Sequence, residues 1–169
     1  MKNLYFFSLF LLLFLGGIFG GVYAEMKDLK IVVVKHKFEL YLYEGTNLIK
    51  TYPVAVGRNP GDKQKIGDYR TPEGNFYIVS IEDSSKWVHD FGDGKGPIKG
   101  AYGPYFLRLY TGKECTRSKK GWTGFAIHGT HDESSIGTMA SEGCIRMRNA
   151  DITELKNMVK KGTPVIIEP

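Results

Sequence analysis

LKIVVVKHKFELYLYEGTNLIKTYPVAVG, residues 29–57, is the stretch that indicates the fold class. Positions 31–34 form a run of apolar β-branched residues, which favours a strand. Apolar residues at 38, 40 and 42 alternate with Glu and Tyr at 39, 41 and 43, the period of a half-buried strand. The turn residues EGTN follow at 44–47, so 48–56 is expected to return as a hairpin partner. The stretch therefore predicts three successive strands.

After residue 57 the chain continues mainly as short strands separated by loops. Apolar segments typical of strands occur at 71–81, 105–110, 124–128 and 165–169. The polar segment 57–69 and the glycine-containing segment 84–103 are typical of loops. We therefore expect a mainly β domain.

One segment, NADITELKNMVKKG (149–162), has the period of a helix. Its apolar residues share a face: Ile152, Leu155, Met158 and Val159. Asp151 with Glu154 resembles a capping box, and Gly162 followed by Pro164 indicates the end of the helix.

The first 24 residues have the layout of a secretory signal: Lys2 precedes a long uncharged apolar run, and small residues stand at Val22 and Ala24. An uncleaved membrane anchor is the alternative, because the run is almost long enough to span a bilayer. Removal of 24 of the 169 residues leaves 145, the size of one domain at 25–169. We expect that domain to act outside the cytoplasmic membrane, in the periplasm or the cell wall.

The charge balance favours an acidic surface over nucleic acid as partner. The formal charge of +5 falls to +4 without Lys2. That modest excess suits a cell wall, whereas the chain has no basic run and no nucleic-acid motif.

A second stretch, HGTHDESSIGTMASEGCIRM (128–147), contains the residues that indicate chemistry. A cysteine is a nucleophile only as thiolate, so it needs a nearby base or a positive field. His128 ends the apolar strand GFAIH, and the loop that follows can return Cys144 to it. Gly143 removes bulk beside the sulfur and lets backbone N–H groups face an oxyanion. Arg146 adds positive charge and a fork that fits a carboxylate.

A metal site or a disulfide is also compatible with this cluster of histidines and cysteine. Zinc could be held by His128, His131 and Cys144, although two histidines three apart point to opposite faces of a continuing strand. A disulfide between Cys115 and Cys144 would suit an exported, non-enzymatic wall-binding module. We expect His131 in a loop or rim and Cys115 in a dispensable polar loop. His36 and His89 are expected as surface or core histidines.

The motifs also resemble a known family. HGT, then IG, SEGCIRM and the tail DITELKNMV…GTPVII are similar to the L,D-transpeptidase catalytic domain, the YkuD family. The blocks IVVVKHKFELYLYEG, YPVAVG, TPEGNF and GPYFLRL come earlier, in the family's order. The resemblance implies a mainly β fold, a β-sandwich of mixed sheets with one short helix towards the C-terminus.

Carried over position by position, the resemblance implies an acyltransferase that needs neither metal nor cofactor. Cys144 is then the nucleophile, His128 its base, and Gly129 the source of a carbonyl that orients the imidazole. Substrate binding is assigned to Ser141, Gly143 and Arg146. The implied partners are peptidoglycan stem peptides, acted on by a monomer in or on the cell envelope.

The implied reaction begins with attack of Cys144 on the carbonyl that joins a diamino acid to the terminal D-alanine. An amine of another stem would then form a cross-link, or water would make the protein a carboxypeptidase. Glu142 departs from the Ser-His-Gly-Cys of many members, and its carboxylate should oppose thiolate formation. Aromatic residues expected near the cleft are Tyr102, Tyr105 and Trp122.

Overall fold

The computed structural model describes residues 28–92, 94–111 and 124–169. Within these residues the protein is mainly β with one α-helix, as predicted. The strands are β1 (Leu29–Val34), β2 (Glu39–Glu44), β3 (Asn47–Gly57), β4 (Gly74–Asp83), β5 (Val88–His89), β6 (Ile98–Lys99), β7 (Tyr105–Leu109), β8 (Ala126–His128), β9 (Met139–Ser141), β10 (Ile145–Met147) and β11 (Pro164–Glu168). The helix, α1, is Asn149–Met158. The predictions for residues 1–24, Cys115 and Trp122 lie outside the described residues.

The first three strands pair as the sequence predicts. β1 and β2 are antiparallel, with Leu29 opposite Glu44 and Val34 opposite Glu39, and β2 pairs with β3. Leu40 and Leu42 are completely buried, which accounts for the alternating pattern. Phe38 is the exception, because it lies outside β2 and closes a short 3-10 turn at φ 55°, in the left-handed region.

Nine of the described strands form one sheet that closes into a barrel-like arrangement rather than the predicted β-sandwich, and β5 and β6 pair with each other in a separate sheet. Around the sheet the order is β10-β8-β7-β4-β11-β1-β2-β3, and β3 pairs again with β10. Because β10 pairs with β8 on one side and β3 on the other, the sheet closes into a barrel-like ring of eight strands. β9 is added in parallel to the end of β3.

The helix covers part of the core with the face that the sequence predicts. Ile152 and Leu155 are completely buried, and burying each aliphatic side chain contributes about 1.5–3 kcal/mol. The predicted capping box is wrong: the helix starts two residues before Asp151, and its N-cap, Arg148, makes no side-chain capping bond. In the described part of the chain, no helix has the length and apolarity needed to cross a membrane.

The long loop between β3 and β4 is held together by one carboxylate, that of Asp68. Burial by itself raises the pKa of Asp68, but hydrogen bonds from a lysine and from three backbone amides outweigh it and hold that pKa well below its usual range. These donors are Lys63 Nζ and the N–H groups of Gln64, Lys65 and Arg70. The loop is thus an ordered element, and it forms part of the wall of a cavity beside Cys144.

Candidate active site

Two neighbouring strands, β8 and β10, bring His128, Cys144 and Arg146 together. β8 and β10 are parallel, and Arg146 is the register partner of His128. His128 ends β8, and Cys144 immediately precedes β10. Both side chains line a cavity of about 180 Å³, with Arg146 and Ser141. The remaining lining residues are Phe91, Tyr102, Gly124 and Glu142.

The imidazole of His128 is buried and fixed in orientation. It stacks on the Phe106 ring at a centroid distance of 5.4 Å and meets the Tyr102 ring edge-on at 5.0 Å. Its Nδ1 lies 2.5 Å from the Gly129 carbonyl oxygen. A proton on Nδ1 makes that contact a hydrogen bond, and the other ring nitrogen, Nε2, is then free to accept a proton.

Burial lowers the pKa of His128 to about 3. The Gly129 carbonyl opposes this shift, and the positive charge of Arg146 adds to it. At neutral pH the ring is therefore uncharged, which is the form that a general base requires.

Gly129 is held in place by Asn149, the first residue of α1. A Cβ at position 129 would lie 2.4 Å from Asn149 Oδ1 and 2.9 Å from Pro104 Cδ. Asn149 also binds both backbone groups of Thr130, accepting from its N–H at 3.0 Å and donating to its carbonyl at 2.9 Å. Asn149 was not predicted as a site residue, and the signal that could have found it is its place just after the SEGCIRM motif.

Gly103 packs closely against Gly129, the residue after His128. This predicts that alanine destabilises the protein more at Gly103 than at Gly100. Gly103 and Gly100 both have positive φ, 65° and 71°. A Cβ at Gly103 would lie 2.6 Å from the Gly129 Cα, whereas one at Gly100 has its nearest neighbour at 3.5 Å. We expect Gly103→Ala to lower the free energy of unfolding by at least ~2 kcal/mol more than Gly100→Ala, because overpacking adds to the shared cost of a left-handed alanine. Urea unfolding of the two variants measures the difference, and equal losses would contradict an effect of packing.

Cys144 carries a free thiol. Its Sγ donates a hydrogen bond to the Gly124 carbonyl at 3.3 Å. Burial raises the pKa of the thiol to about 11, against the opposing effects of a backbone hydrogen bond from Ala126 and the charge of Arg146. The Glu142 carboxylate raises it further. At rest the site therefore pairs a neutral thiol with a neutral imidazole.

Ser141 and Gly143 shape the turn before the sulfur. Ser141 is 1% exposed, its hydroxyl donates to the Cys144 carbonyl at 2.5 Å, and it accepts the Gly143 N–H at 3.0 Å. The Gly143 N–H is therefore engaged inside the turn. The hydroxyl proton of Ser141 is engaged as well, so both residues stabilise the turn. Gly143 has a φ of 129°, a backbone conformation that glycine adopts much more readily than other residues.

Arg146 places a buried positive charge in the wall of the cavity. It is 8% exposed, and its guanidinium lies 5.5 Å from the centre of the Phe91 ring. Among the described residues, none accepts a hydrogen bond from that guanidinium. Arg146 also lines an adjoining groove of about 360 Å³, which carries the further basic residues Arg58, Lys95 and His131. A buried charge open to a cavity is suited to a carboxylate ligand.

The rim of the cavity combines Glu142 with two residues that sequence patterns did not reveal, His89 and Phe91. Glu142 accepts a hydrogen bond from Arg58 Nη2 at 3.1 Å, and its other oxygen lies 3.8 Å from His89 Nε2. His89, predicted as a surface or core residue, also contacts the rings of Phe91 and Tyr102. His89 and Phe91 come from an irregular segment with no periodicity, so no signal marked them.

The other residues named from the sequence divide between the site and its surroundings. Tyr102 lines the cavity as predicted, but Tyr105 lies away from it, beneath Lys156. His131 is an exposed residue of the adjoining groove, with Nδ1 3.2 Å from the Ala101 carbonyl oxygen. It is not part of the cavity that His128 and Cys144 share, so the zinc arrangement does not form. No cluster of three or more potential metal ligands occurs in residues 28–92, 94–111 and 124–169.

A second cavity adjoins the first at Cys144. It also measures about 180 Å³, and Gly124, Glu142 and Cys144 line both cavities. Its remaining wall includes Tyr69 and Phe125. Cys144 therefore lies in the wall of both cavities.

The carboxylate of Glu142 predicts that two substitutions shift the pH dependence of Cys144 labelling in opposite directions. Its carboxylate raises the pKa of Cys144, so Glu142→Gln should move the rise of iodoacetamide labelling with pH to lower pH. Arg58→Gln removes the cation that partly neutralises this carboxylate, so it should move the rise to higher pH. Labelling of Cys144 across alkaline pH, followed by mass spectrometry, measures both. Identical profiles for the two variants would show that the carboxylate does not act on the sulfur.

A closed β-sheet holds a cysteine and a histidine around one cavity, as a domain with a cysteine nucleophile and a histidine base requires, and comparison with known proteins identifies the family. The model for the YkuD family, described as the L,D-transpeptidase catalytic domain, matches residues 28–167. The chain belongs to this family.

Relatives and solved structures agree with that assignment. The protein named YkuD of Bacillus licheniformis is 36% identical over 140 residues, which cover 83% of this chain and 66% of the relative. YkuD of Bacillus subtilis is 34% identical over 128 residues, covering 76% of this chain and 58% of the relative. The chain thus spans about two thirds or less of these relatives. The catalytic domain of the E. faecium L,D-transpeptidase, 24% identical, shares the fold with a TM-score of 0.58 over 85% of this chain and 98% of that domain.

Proposed function

We propose that the protein is an exported peptidoglycan L,D-transpeptidase that works through a cysteine acyl-enzyme. The observation that carries the proposal is the pairing of Cys144 and His128 around one cavity, with the Gly129 carbonyl at Nδ1 of the imidazole. This is the nucleophile, base and orienting group that acyl transfer requires. Membership of the L,D-transpeptidase family supports peptidoglycan stem peptides as substrates.

The first half-reaction forms the acyl-enzyme. His128 Nε2 takes the thiol proton as Cys144 Sγ attacks the carbonyl between the diamino acid and the terminal D-alanine. The imidazolium then gives that proton to the departing amine, which leaves a thioester. Because the pKa of the thiol is about 11 and that of the imidazole about 3, the proton moves during attack and no standing ion pair precedes it.

Arg146 supplies charge complementarity for the donor. The side chains of Arg146 and His128 belong to register partners on adjacent strands, so a carboxylate on the guanidinium lies near the amine that His128 protonates. The terminal D-alanine has its carboxylate one carbon from that amine. Arg146 therefore binds the carboxylate of the stem peptide, while Ser141 and Gly143 keep the turn in shape.

The second half-reaction transfers the acyl group to an amine of another stem. The two cavities that share Cys144 support an amine acceptor, because donor and acceptor can then occupy separate spaces next to the thioester. Water as acceptor gives an L,D-carboxypeptidase, the alternative outcome of the same acyl-enzyme. The free thiol of Cys144 argues against a non-enzymatic module held by a Cys115–Cys144 disulfide.

The proposed setting is the cell envelope. Residues 1–24 serve as a signal peptide or an anchor, residues 25–169 form the catalytic domain, and the domain acts as a monomer without cofactor, metal or nucleic acid. The positive charge of the chain suits an acidic wall.

Incubation with a purified disaccharide-tetrapeptide tests the proposal. Mass spectrometry should show dimers that have lost one D-alanine, and the intact protein should gain one acyl adduct with a carbapenem. Tripeptide without dimer would favour the carboxypeptidase. No product and no adduct would contradict the acyl-enzyme.

A further inference from the structure

A side chain far from the catalytic motif binds the backbone next to the nucleophile. Thr71 Oγ1 donates a hydrogen bond to the Gly143 carbonyl at 2.8 Å and accepts one from the Gly57 N–H at 2.8 Å. Thr71 is 1% exposed. One buried hydroxyl therefore joins the end of β3 to the turn that carries Cys144.

The hydrogen bond to Gly143 also determines where the Cys144 amide points. The Gly143 carbonyl and the Cys144 N–H belong to one planar trans peptide unit, so they point in opposite directions. Fixing the carbonyl therefore fixes the N–H. The N–H of Gly143 itself is bonded to Ser141 Oγ at 3.0 Å, so the amide of Cys144 is the one aimed by Thr71.

The segment that carries Thr71 is wedged between two glycines. A Cβ at Gly57 would lie 2.4 Å from the Tyr69 carbonyl oxygen, and one at Gly143 would lie 2.9 Å from the Arg70 carbonyl oxygen. Neither position has space for a side chain while this backbone stays in place. Residues 69–71 are therefore held directly against the catalytic turn.

Lys35 holds Thr71 from another direction. Lys35 is 8% exposed, and its Nζ donates to the Thr71 carbonyl at 3.1 Å and to the Gly61 carbonyl at 2.8 Å. Its charge is balanced by Glu73 at 2.5 Å. A buried, fully engaged ammonium leaves the Thr71 backbone little freedom to shift.

We propose that Thr71 is a positioning residue that aims the Cys144 N–H at the oxyanion formed during attack, with Lys35 holding Thr71 in place. The inference rests on the proposed function and adds a determinant of transition-state stabilisation from outside the catalytic motif. A hydroxyl is required because the position must accept from Gly57 and donate to Gly143 at once.

Two reactions of the same sulfur test this role. Acylation by a carbapenem passes through a tetrahedral oxyanion, whereas alkylation by iodoacetamide does not. Thr71→Val should slow acylation about ten- to hundredfold, somewhat less than the loss of a whole oxyanion donor, and leave alkylation within about twofold of wild type. Thr71→Ser, which keeps the hydroxyl, should restore acylation to within a few-fold. Lys35→Gln should slow acylation and spare alkylation, and it serves as the test if Thr71→Val does not fold.

The outcomes separate this role from the function on which it rests. Acylation of Thr71→Val at the wild-type rate would overturn the positioning role and leave the proposed function intact. An equal fall of both reactions would also overturn it, because the hydroxyl would then serve the thiol or the fold. A wild-type protein that is alkylated but never acylated would contradict the proposed function, and this inference with it.

Discussion

Turnover of a disaccharide-tetrapeptide is expected to disappear when Cys144 is replaced by alanine. In the proposed mechanism the thiol forms the covalent bond with the substrate, and without it the remaining cavity can only bind substrate. Cys144→Ser should be nearly as inactive, because a hydroxyl is far harder to deprotonate than a thiol whose pKa is already about 11. Release of D-alanine and formation of dimers, measured by mass spectrometry, quantify the loss.

The second cysteine of the chain provides a matched control. Cys115→Ser removes the same atom from a lysine-rich segment and should retain activity. Thermal unfolding of all three variants should remain close to wild type, because each substitution removes or exchanges a single side-chain atom. Full activity in Cys144→Ala would end the assignment of the nucleophile.

Replacement of His128 by glutamine is expected to lower kcat/KM at neutral pH by about 10²–10⁴, the usual contribution of a general base. The wild-type ring stays neutral down to a pKa of about 3, so the wild-type kcat/KM should show no histidine limb between pH 5 and 8. In the variant kcat/KM should rise with pH, because only the thiolate can then attack and the pKa of the thiol is about 11. Stopped assays across this range measure both profiles.

His36→Gln is the matched control for this substitution. His36 contacts the Pro169 carbonyl oxygen on an exposed surface, away from the catalytic cavity, so its loss should leave kcat/KM unchanged. A His128→Gln protein with wild-type kcat/KM at pH 7 would exclude His128 as the base.

The same burial should appear as acid sensitivity of the fold. An unfolded histidine binds a proton below about pH 6.5, whereas buried His128 does so only near pH 3. The unfolded state therefore binds more protons in that window, and His128 lowers stability as pH falls from about 6.5 towards 3, by up to about 1.4 kcal/mol per pH unit. Urea unfolding should show a smaller loss in His128→Gln. An equal loss in both proteins would mean that the ring is solvated.

The local parts of the fold could be predicted because their signals are local. The alternation at 38–43 and the turn at 44–47 predicted the hairpin of β2 and β3, and the apolar face of 149–159 predicted the side of α1 that is buried. These patterns depend on the geometry of single strands and helices. Closure of the sheet depends instead on β10, a strand of three residues whose two partners are distant in sequence. The sequence of a three-residue strand does not indicate how many neighbouring strands it pairs with.

The candidate active site also has one part that the sequence predicts and another that depends on the tertiary structure. The sequence determined which residue types stand close together in the chain: Cys144, His128 and Arg146 follow from the spacing of one motif and its resemblance to the family. Only the tertiary structure decided their states and their neighbours. It brought His89 and Phe91 from one segment, and Thr71 from the loop between β3 and β4, to the surroundings of Cys144, and it engaged Ser141 and the Gly143 N–H inside the turn. Burial keeps the imidazole of His128 and the thiol of Cys144 in their neutral forms. Burial depends on how the rest of the chain packs around a side chain, so the identity of the residue alone does not determine it.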